Sequence, residues 1–195
     1  MTATIHVALA DGDGEIRVVL GRMLSALGCQ VASIAKTGRE LVEQCLALRP
    51  DLVVADVSLP ELDGFAASSL IAQQSPAPVI LLTRRSDARQ IDRAIQTAAM
   101  ALLVKPVTEE VLGPAIALAT SRYSRIQAVE REAADLRQAL ADRKIIERAK
   151  GILMRHFALD EANAFRRLQS LSSTKHLKLV DMAQAILQAV EVFDG

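Results

Sequence analysis

Acidic, hydroxyl and basic side chains follow the apolar runs in the first half of the chain, and their types could form one polar reactive site. They are Asp11 and Asp13 after the first run, Asp56 after the third, Thr83 after the fourth and Lys105 after the fifth. A carboxylate can act as a nucleophile, and oxygen ligands can hold a hard cation such as Mg²⁺. The residue types therefore predict a rim where acids, a hydroxyl and an ammonium group converge.

The runs that carry these residues alternate with helical patterns, which is typical of βαβ units on a parallel sheet. We predict strands at residues 5–9, 31–35, 52–55, 79–82 and 102–104. We predict helices at residues 15–27, 39–48, 65–74 and 87–97, with a further helix from Thr108. Gly28 is expected to close the first helix in the left-handed conformation. In open sheets of this kind ligands bind beyond the carboxyl ends of the strands, where the polar residues lie.

Two motifs surround the candidate site, V-V-A-D-V-S-L-P-E-L-D-G at Asp56 and L-V-K-P at Lys105. With them, residues 4–120 resemble the receiver domain of two-component response regulators, which implies a doubly wound, five-stranded, flavodoxin-like fold. The resemblance implies that Asp56 accepts a phosphoryl group, that Lys105 pairs with its charge and that Thr83 hydrogen-bonds it. It also implies Mg²⁺ as a cofactor, for which Asp11, Asp13 and Asp56 are the candidate ligands.

Three residues depart from the receiver pattern. Gly12 stands where a carboxylate usually binds Mg²⁺, and Asp13 would need a rebuilt loop to replace it because neighbouring side chains point apart. Arg84 stands where the family usually has a small residue, which would narrow access to the acid cluster. Leu102 stands where an aromatic switch residue often lies. A receiver that is phosphorylated and a salt-bridged rim that serves only as a docking platform are both left open.

A single long helix is predicted from Thr108 through Met154, because no glycine occurs between Gly113 and Gly151 and Pro114 lies near its start. An apolar stripe at coiled-coil spacing runs along it at Ile126, Val129, Ala133, Leu136 and Leu140. The stripe slips in phase at residue 143 and resumes at residue 146. The pattern favours a homodimer through residues 126–140, with packing of the stripe on the chain's own first domain as the alternative.

The last part of the chain holds three short amphipathic segments, K-I-I-E-R-A-K-G-I-L-M, D-E-A-N-A-F-R-R-L and L-K-L-V-D-M-A-Q-A-I-L. They resemble the ANTAR domain, a three-helix RNA-binding antitermination module. Asp160 is a predicted helix cap, S-L-S-S-T is predicted to end the second helix, and the last helix is expected from about Lys178. The predicted core residues are Ile152, Leu153, Phe157, Phe165, Leu168 and Leu179.

The resemblance implies RNA as a partner, bound at hairpin loops of a leader transcript. The candidate RNA contacts are basic: Lys144, Arg148, Lys150, Arg155, Arg166, Arg167, Lys175, His176 and Lys178. Residues 121–195 hold 13 Lys and Arg against 10 Asp and Glu, whereas residues 1–120 hold 10 against 13. This difference favours a mildly basic binding half but does not by itself indicate nucleic-acid binding.

Composition and the absence of certain motifs narrow the class of protein. Apolar residues make up 51% of the 195 residues and aromatic residues only 3%, so the core must consist of aliphatic side chains. Cys29 and Cys45 match no metal-ligand spacing and are expected to be reduced core thiols. We find no leader or membrane-spanning segment and expect a cytoplasmic protein. We expect no enzyme, because no nucleophile and base pair occurs outside the rim, and no DNA-binding recognition helix is evident.

We therefore predict three parts: a receiver domain at 1–120, a coiled-coil linker helix at 121–143 and an ANTAR domain at 144–195. The predicted function is a response regulator that acts as an RNA-binding transcription antiterminator. Its input would be phosphorylation of Asp56 by a sensor kinase or release from an inhibitory sensor protein. The alternative is a regulator independent of phosphorylation, whose C-terminal helices bind a protein partner.

Overall fold

The structure, a computed structural model, describes residues 4–85 and 87–193, with side chains described to residue 189. Residues 1–3 and 194–195, where the first and last predicted domains begin and end, lie outside the described residues. The chain divides into two compact units, Met1–Gln127 and Ala128–Gly195. Within the described residues, no helix is long and apolar enough to cross a membrane.

The first unit contains a five-stranded parallel sheet with the order β2-β1-β3-β4-β5. Its strands are β1 (His6–Ala10), β2 (Gln30–Ala35), β3 (Leu52–Asp56), β4 (Val79–Thr83) and β5 (Ala99–Val104). The helices that connect them are α1 (Gly14–Ala26), α2 (Gly38–Leu48), α3 (Gly64–Gln74) and α4 (Ala88–Ile95), and α5 (Glu109–Phe157) follows β5. The predicted doubly wound fold is confirmed.

The boundaries of the elements differ from the prediction where tertiary contacts extend a strand. Strands β3 and β4 include Asp56 and Thr83 as their last residues, because the sheet ladder continues to them. Strand β5 begins at Ala99, since its first residues pair with β4 although their side chains are small or flexible. Gly28 closes α1 with a φ of 79°, as predicted. Such a φ is accessible to glycine without a steric penalty.

Two apolar clusters cover the two faces of the sheet. One packs α2 and α3 against the sheet, with Leu41, Ile71 and Leu81 fully buried or nearly so. The other packs α1 and the start of α5 against the opposite face, through Leu24 and Leu112 among others. Both cysteines are free and buried, one in each cluster, which confirms that they are core thiols. Burial raises the pKa of the Cys29 thiol above its ordinary value. Burial raises the pKa of the Cys45 thiol to about 12.

Helix α5 runs without interruption from Glu109 to Phe157 and passes through Pro114 near its start, as predicted. The stripe proposed as a dimer seam is exposed: Ile126 by 45%, Val129 by 65%, Leu136 by 60% and Leu140 by 61%. After the phase slip at residue 143, α5 also carries buried apolar residues. Ala149 and Leu153 are buried in the second unit's own core.

The second unit packs the end of α5 with α6 (Glu161–Lys175) and α7 (Leu179–Phe193). The carboxylate of Asp160 caps α6 by accepting a hydrogen bond from the amide of Asn163 at 2.7 Å, as predicted. The prediction that S-L-S-S-T ends α6 is wrong. The helix continues to Lys175 because the hydroxyl of Thr174 is satisfied inside it, donating to the carbonyl of Ser170. His176, with a φ of 53°, ends the helix instead.

The predicted core of this unit is only partly correct. Leu153 and Leu168 are buried together with Ala149, Ala164 and Ala183. Ile152, Phe165 and Leu179 are half-buried. Phe157 was predicted to lie in the core and is 45% exposed, because it stands at the corner where α5 ends.

Candidate functional site

The sheet places the acidic residues of the rim next to one another. Strand β1 pairs with β3, and Ala10 lies opposite Ala55, so Asp11 and Asp56 come at the same edge. Both carboxylates are buried, with exposures of 2% for Asp11 and 5% for Asp56. Because an isolated buried carboxylate is costly, such a pair requires a cation or hydrogen-bond donors nearby.

Lys105, which directly follows β5, supplies that cation. Its Nζ donates to Oδ2 of Asp11 at 2.5 Å and to Oδ2 of Asp56. The lysine side chain is only 10% exposed. Its backbone amide donates to the carbonyl of Thr83 at 2.7 Å, which ties this segment to β4. Of the five residues predicted to meet at the rim, Asp11, Asp56 and Lys105 therefore form one connected cluster.

Backbone amides hold the other carboxylate oxygens. Oδ1 of Asp56 accepts from the amide of Ser58 at 2.5 Å, and Oδ1 of Asp11 accepts from the amide of Asp13 at 2.9 Å. A depression lined by Gly12, Ser58 and Arg84, among others, opens over the carboxylates. A fixed carboxylate with an ammonium group beside it and an opening above it can accept a phosphoryl group, since the cation offsets the incoming negative charge.

Thr83 lies at the end of β4 and is fully buried, but its hydroxyl does not contact Asp56. It donates to the carbonyl of Arg85 at 2.8 Å and contacts the side-chain amide of Gln90 on α4. The amide of Arg85 in turn donates to the hydroxyl at 3.2 Å. The predicted phosphate contact stays a prediction, and in this arrangement Thr83 holds the loop between β4 and α4.

The predicted Mg²⁺ ligands Asp11, Asp13 and Asp56 line the same depression, but Asp13 is engaged by other groups. The carboxylate of Asp13 caps α1 by accepting from the amides of Glu15 and Ile16, and its other oxygen lies 3.9 Å from Nη2 of Arg84. No group of three His, Cys, Asp or Glu in the described chain is placed to hold a metal ion. Asp13 thus caps α1, while Asp13 as a Mg²⁺ ligand and Mg²⁺ as a cofactor both stay predictions.

Two glycines shape the site. At Gly12 an added Cβ would lie 3.5 Å from Cδ of Pro60, which is an ordinary contact, so the backbone leaves room for a side chain. At Gly64 an added Cβ would lie 2.2 Å from the carbonyl oxygen of Asp56, so α3 can begin here only with glycine. Gly64 was not among the predicted site residues, although the D-G that ends the Asp56 motif was the available signal.

The candidate RNA contacts in the second unit are exposed, with one exception. Lys144, Arg148, Arg155, Arg166, Arg167, Lys175, His176 and Lys178 are all exposed. Lys150 is 6% exposed. Its Nζ donates to both oxygens of Glu147 at 2.9 Å and to Oε1 of Glu161 at 2.8 Å. Lys150 therefore joins α5 to α6, and its predicted contact with RNA stays a prediction.

Electrostatics support this assignment of Lys150. Hydrogen bonds from its ammonium group to Glu161 and then Glu147 raise the pKa of Lys150 above its ordinary value. The same hydrogen bond lowers the pKa of Glu161. Both groups are thus held in their charged forms, with the ammonium group shielded and the carboxylates facing solvent.

One exposed aromatic pair was missed by the sequence analysis. The guanidinium carbon of Arg167 lies 4.0 Å from the centre of the Phe157 ring, and the His156 ring meets Phe157 edge-on at 5.1 Å. Apolar residues at helical spacing are usually buried, which is why Phe157 was assigned to the core. The only signal against this was its position immediately before the corner between α5 and α6.

Comparison with known families assigns both units. The model of the response regulator receiver domain matches residues 7–117, and that of the ANTAR domain matches residues 134–187. The chain is 38% identical over 185 residues to the transcriptional regulatory protein PdtaR of Mycobacterium tuberculosis, across 95% of this chain and 90% of that protein. A protein-glutamate methylesterase/protein-glutamine glutaminase of Archaeoglobus fulgidus is 34% identical over 104 residues, but this chain spans only 30% of its length.

Solved structures agree with the fold of the first unit. The response regulator domain of Thermotoga maritima CheB has a TM-score of 0.55 at 26% identity, covering 62% of this chain and 96% of that one. The signal receiver domain of NarL from M. tuberculosis has a TM-score of 0.59 at 22% identity, covering 62% and 98%. With a receiver domain at residues 7–117 and an ANTAR domain at residues 134–187, the chain belongs to the response regulators.

Proposed function

We propose that this response regulator is a dimeric, RNA-binding transcription antiterminator whose receiver domain controls its ANTAR domain. The observation that carries the proposal is the pairing of these two domains in one chain, with similarity to a transcriptional regulatory protein across 95% of its length. The target would be hairpin loops in a leader transcript. Binding would stabilise those hairpins against a competing terminator hairpin.

The surface of the ANTAR domain supports RNA as the partner. Arg155, Arg166 and Arg167 are exposed, and none forms an ion pair with a carboxylate elsewhere in the described part of the chain. Guanidinium groups left without carboxylate partners are free to contact phosphate or to stack on unpaired bases. Lys175, His176 and Lys178 add three exposed basic side chains where α6 meets α7.

The receiver site supports phosphorylation as the input. A carboxylate oxygen of Asp56 would form a bond to phosphorus while the bond from phosphorus to the donor breaks, with its electron pair leaving on the donor. Lys105 would offset the added charge. Thr83 would need to release the carbonyl of Arg85 before its hydroxyl could bind the phosphoryl group. That exchange would couple phosphorylation to the loop between β4 and α4.

Release from an inhibitory sensor protein is the other possible input. Arg84, whose side chain is 71% exposed, lines the depression above Asp56 and lies within 3.9 Å of Asp13. A sensor protein docked there would act without chemistry at Asp56. The two inputs make opposite predictions for a variant that lacks the Asp56 carboxylate.

The exposed stripe on α5 supports a dimer with a second copy of the chain. Ile126, Val129, Leu136 and Leu140 repeat at coiled-coil spacing and present an apolar seam with charged residues beside it. A parallel pair would place two ANTAR domains together. The second domain would then bind the second hairpin at high effective concentration.

The test is RNA binding by the full chain to a leader RNA with two hairpins, with and without acetyl phosphate and Mg²⁺, for the wild type and Asp56→Ala. We expect acetyl phosphate to tighten binding only when Asp56 is present. Equal binding in every condition would contradict phosphorylation control and favour a sensor protein as the input. If the wild type binds no RNA in any condition, the C-terminal helices would instead be assigned to a protein partner.

The dimer is tested separately by the molar mass in solution. Leu136→Glu together with Leu140→Glu should convert the dimer to a monomer, because each helix would then bring two negative charges into the apolar interface. Ala134→Glu adds the same charge at an exposed position outside the seam and should leave the dimer intact. A monomeric wild type, or a dimer unaffected by the two seam substitutions, would contradict this interface.

A further inference from the structure

Phe157 lies at a corner that holds it in a defined exposed position. It is the last residue of α5 and is 45% exposed. Ala158 follows with a φ of 49°, the amide of Leu159 donates to the carbonyl of Met154 at 3.1 Å, and Asp160 caps α6. Leu159 packs against the core of the second unit. The chain on the C-terminal side of Phe157 is therefore anchored, although its own side chain is not buried.

Exposure makes Phe157 unlike the other phenylalanine and tyrosine side chains that the structure describes. Phe65 is buried, whereas Tyr123 and Phe165 are half-buried, and the ammonium group of Lys150 lies 5.8 Å from the centre of the Phe165 ring. At 45% exposure, a large part of the Phe157 side chain gains no hydrophobic stabilisation and stays accessible to a ligand.

The groups around Phe157 are planar, and one of them, the guanidinium group of Arg167, is cationic. The guanidinium carbon of Arg167 lies 4.0 Å from the ring centre, and the imidazole of His156 meets the ring at 78°. Arg155 and Arg166 are exposed neighbours along the two helices. This charge suits an anionic ligand, and a phenyl ring beside a guanidinium group suits a flat one. An unpaired nucleotide has both properties, since it joins a planar base to a phosphate.

We propose that Phe157 is a stacking platform for an unpaired nucleobase of the bound RNA, and that Arg167 is a positioning residue that holds the ring. The inference rests on the proposed RNA-binding function and names the residue that recognises the loop. The base stacks on the part of the ring that Arg167 leaves open. Arg155 and Arg166, which are exposed on the same two helices, add positive charge that suits the RNA backbone.

The test begins with RNAs that the wild-type chain selects from a pool of two-hairpin RNAs with randomised loops. Each loop adenine of a selected RNA is replaced in turn by 2-aminopurine, whose fluorescence falls when the base stacks on a ring. Affinity is measured for the wild type, Phe157→Leu and Phe157→Tyr over a range of salt concentrations. Phe157→Leu keeps an apolar side chain but removes the ring, and Phe157→Tyr keeps the ring.

We expect Phe157→Leu to bind about tenfold more weakly, the size expected for the loss of one base–aromatic stack. Phe157→Tyr should bind like the wild type. The dependence of affinity on salt should be the same for all three proteins, because no phosphate contact is changed. At one loop position, quenching of 2-aminopurine should occur with the wild type and Phe157→Tyr and be lost with Phe157→Leu.

Other outcomes separate the failure of this inference from failure of the proposed function. If the wild type selects RNA and Phe157→Leu binds it equally well, the stacking role is overturned and RNA binding stands. If the wild type selects no RNA, both are overturned. Circular dichroism and thermal unfolding of Phe157→Leu check its fold, which should be unchanged because the side chain is exposed. If Phe157→Leu loses both RNA binding and its fold, the loss of binding is assigned to the fold. If Phe157→Tyr, which keeps the ring, also loses binding, the stacking role is overturned.

Discussion

The ammonium group of Lys150 on α5 lies 2.8 Å from Oε1 of Glu161 on α6, with 8% of the lysine side chain and 71% of the glutamate side chain exposed. Glu147, one turn before Lys150, accepts two further hydrogen bonds from the same ammonium group at 2.9 Å. The buried ammonium group of Lys150 thus joins α5 to α6, while the carboxylates of Glu147 and Glu161 are exposed to solvent. In a unit this small, such a bridge fixes where α6 begins.

The bridge predicts the pH dependence of stability in the ANTAR domain. The pKa of Glu161 is lowered from 4.5, so the pair stabilises the folded state above that pH and the contribution is lost as pH falls through the folded pKa. The pKa of Lys150 is raised from 10.5, so its contribution is complete below that pH and is lost only as pH rises through the folded pKa. We therefore expect the melting temperature of Lys150→Met to fall less than that of the wild type between about pH 6 and pH 3.

The control for this comparison is Lys144→Met, which removes an exposed lysine on the same helix. Its melting temperature should follow the wild-type curve with pH. Parallel curves for Lys150→Met and the wild type would show that the lysine does not lower the pKa of Glu161.

A carboxylate at position 12 should create a metal site. The Cβ of an aspartate at position 12 would lie 3.5 Å from Cδ of Pro60, so the side chain fits without displacing the backbone. Gly12→Asp would place a third carboxylate beside Asp11 and Asp56. We expect its affinity for Mg²⁺, measured by calorimetric titration, to be at least about tenfold higher than that of the wild type, because affinity rises with the number of charged oxygen ligands.

Gly21→Asp is the matched control for Gly12→Asp. It adds the same charge on α1 in open space, outside the rim, and should leave Mg²⁺ affinity unchanged. Equal Mg²⁺ affinity for Gly12→Asp and the wild type would mean that Lys105 remains between the two native carboxylates even when a third is present.

Gly64 is expected to be essential for the position of Asp56. A Cβ at Gly64 would lie 2.2 Å from the carbonyl oxygen of Asp56, a distance at which α3 or the end of β3 must move. We expect Gly64→Ala to lower the free energy of unfolding of the receiver domain by about 1–3 kcal/mol, the usual cost of overpacking. Urea denaturation measures the change.

The contrast with Gly64 is Gly21, where an added Cβ meets nothing within 4 Å. Gly21→Ala lies inside α1 and should raise stability by about 0.5–1 kcal/mol, because alanine favours the helix. A neutral Gly64→Ala would show that the start of α3 shifts readily.

Leu168 should be the main apolar support of the ANTAR domain. It is fully buried in a cluster with Leu153 and three alanines, Ala149, Ala164 and Ala183, and the alanine side chains are too short to fill the space it would leave. We expect Leu168→Ala to cost about 2–5 kcal/mol and to unfold the helices of this domain first. Thermal unfolding followed by circular dichroism should then show a separate transition at lower temperature.

Leu177→Ala is the matched substitution at a site that is 45% exposed. It should change stability by less than about 0.5 kcal/mol. A single unfolding transition in Leu168→Ala at the wild-type temperature would contradict the assignment of Leu168 as the core of the domain.

The rim of the receiver could be predicted from the sequence because parallel strands align their carboxyl ends. Once five apolar runs alternate with helices, the residues that end those runs must meet at one edge. Asp11, Asp56 and Lys105 were found in this way, and the structure places them in direct contact. The same reasoning found Asp160 as a cap, since capping depends on neighbours in the chain.

Periodicity alone could not decide the surroundings of individual side chains. Asp13 was predicted to bind metal, and its carboxylate also caps the first turn of α1. The S-L-S-S-T segment was predicted to end α6, but the hydroxyl of Thr174 bonds inside the helix and leaves it intact. In both places several local hydrogen bonds were possible, and the packed structure selected one.

The sequence by itself determined the order of the strands and helices, the rim residues and the extent of the long helix, because these follow from local periodicity and chain direction. The tertiary structure decided which charged and aromatic side chains are accessible. Lys150 is shielded because Glu161 comes to it from another helix, and Phe157 is exposed because the chain turns away directly after it. Burial depends on what approaches from elsewhere in the fold, and spacing along the chain does not contain that information.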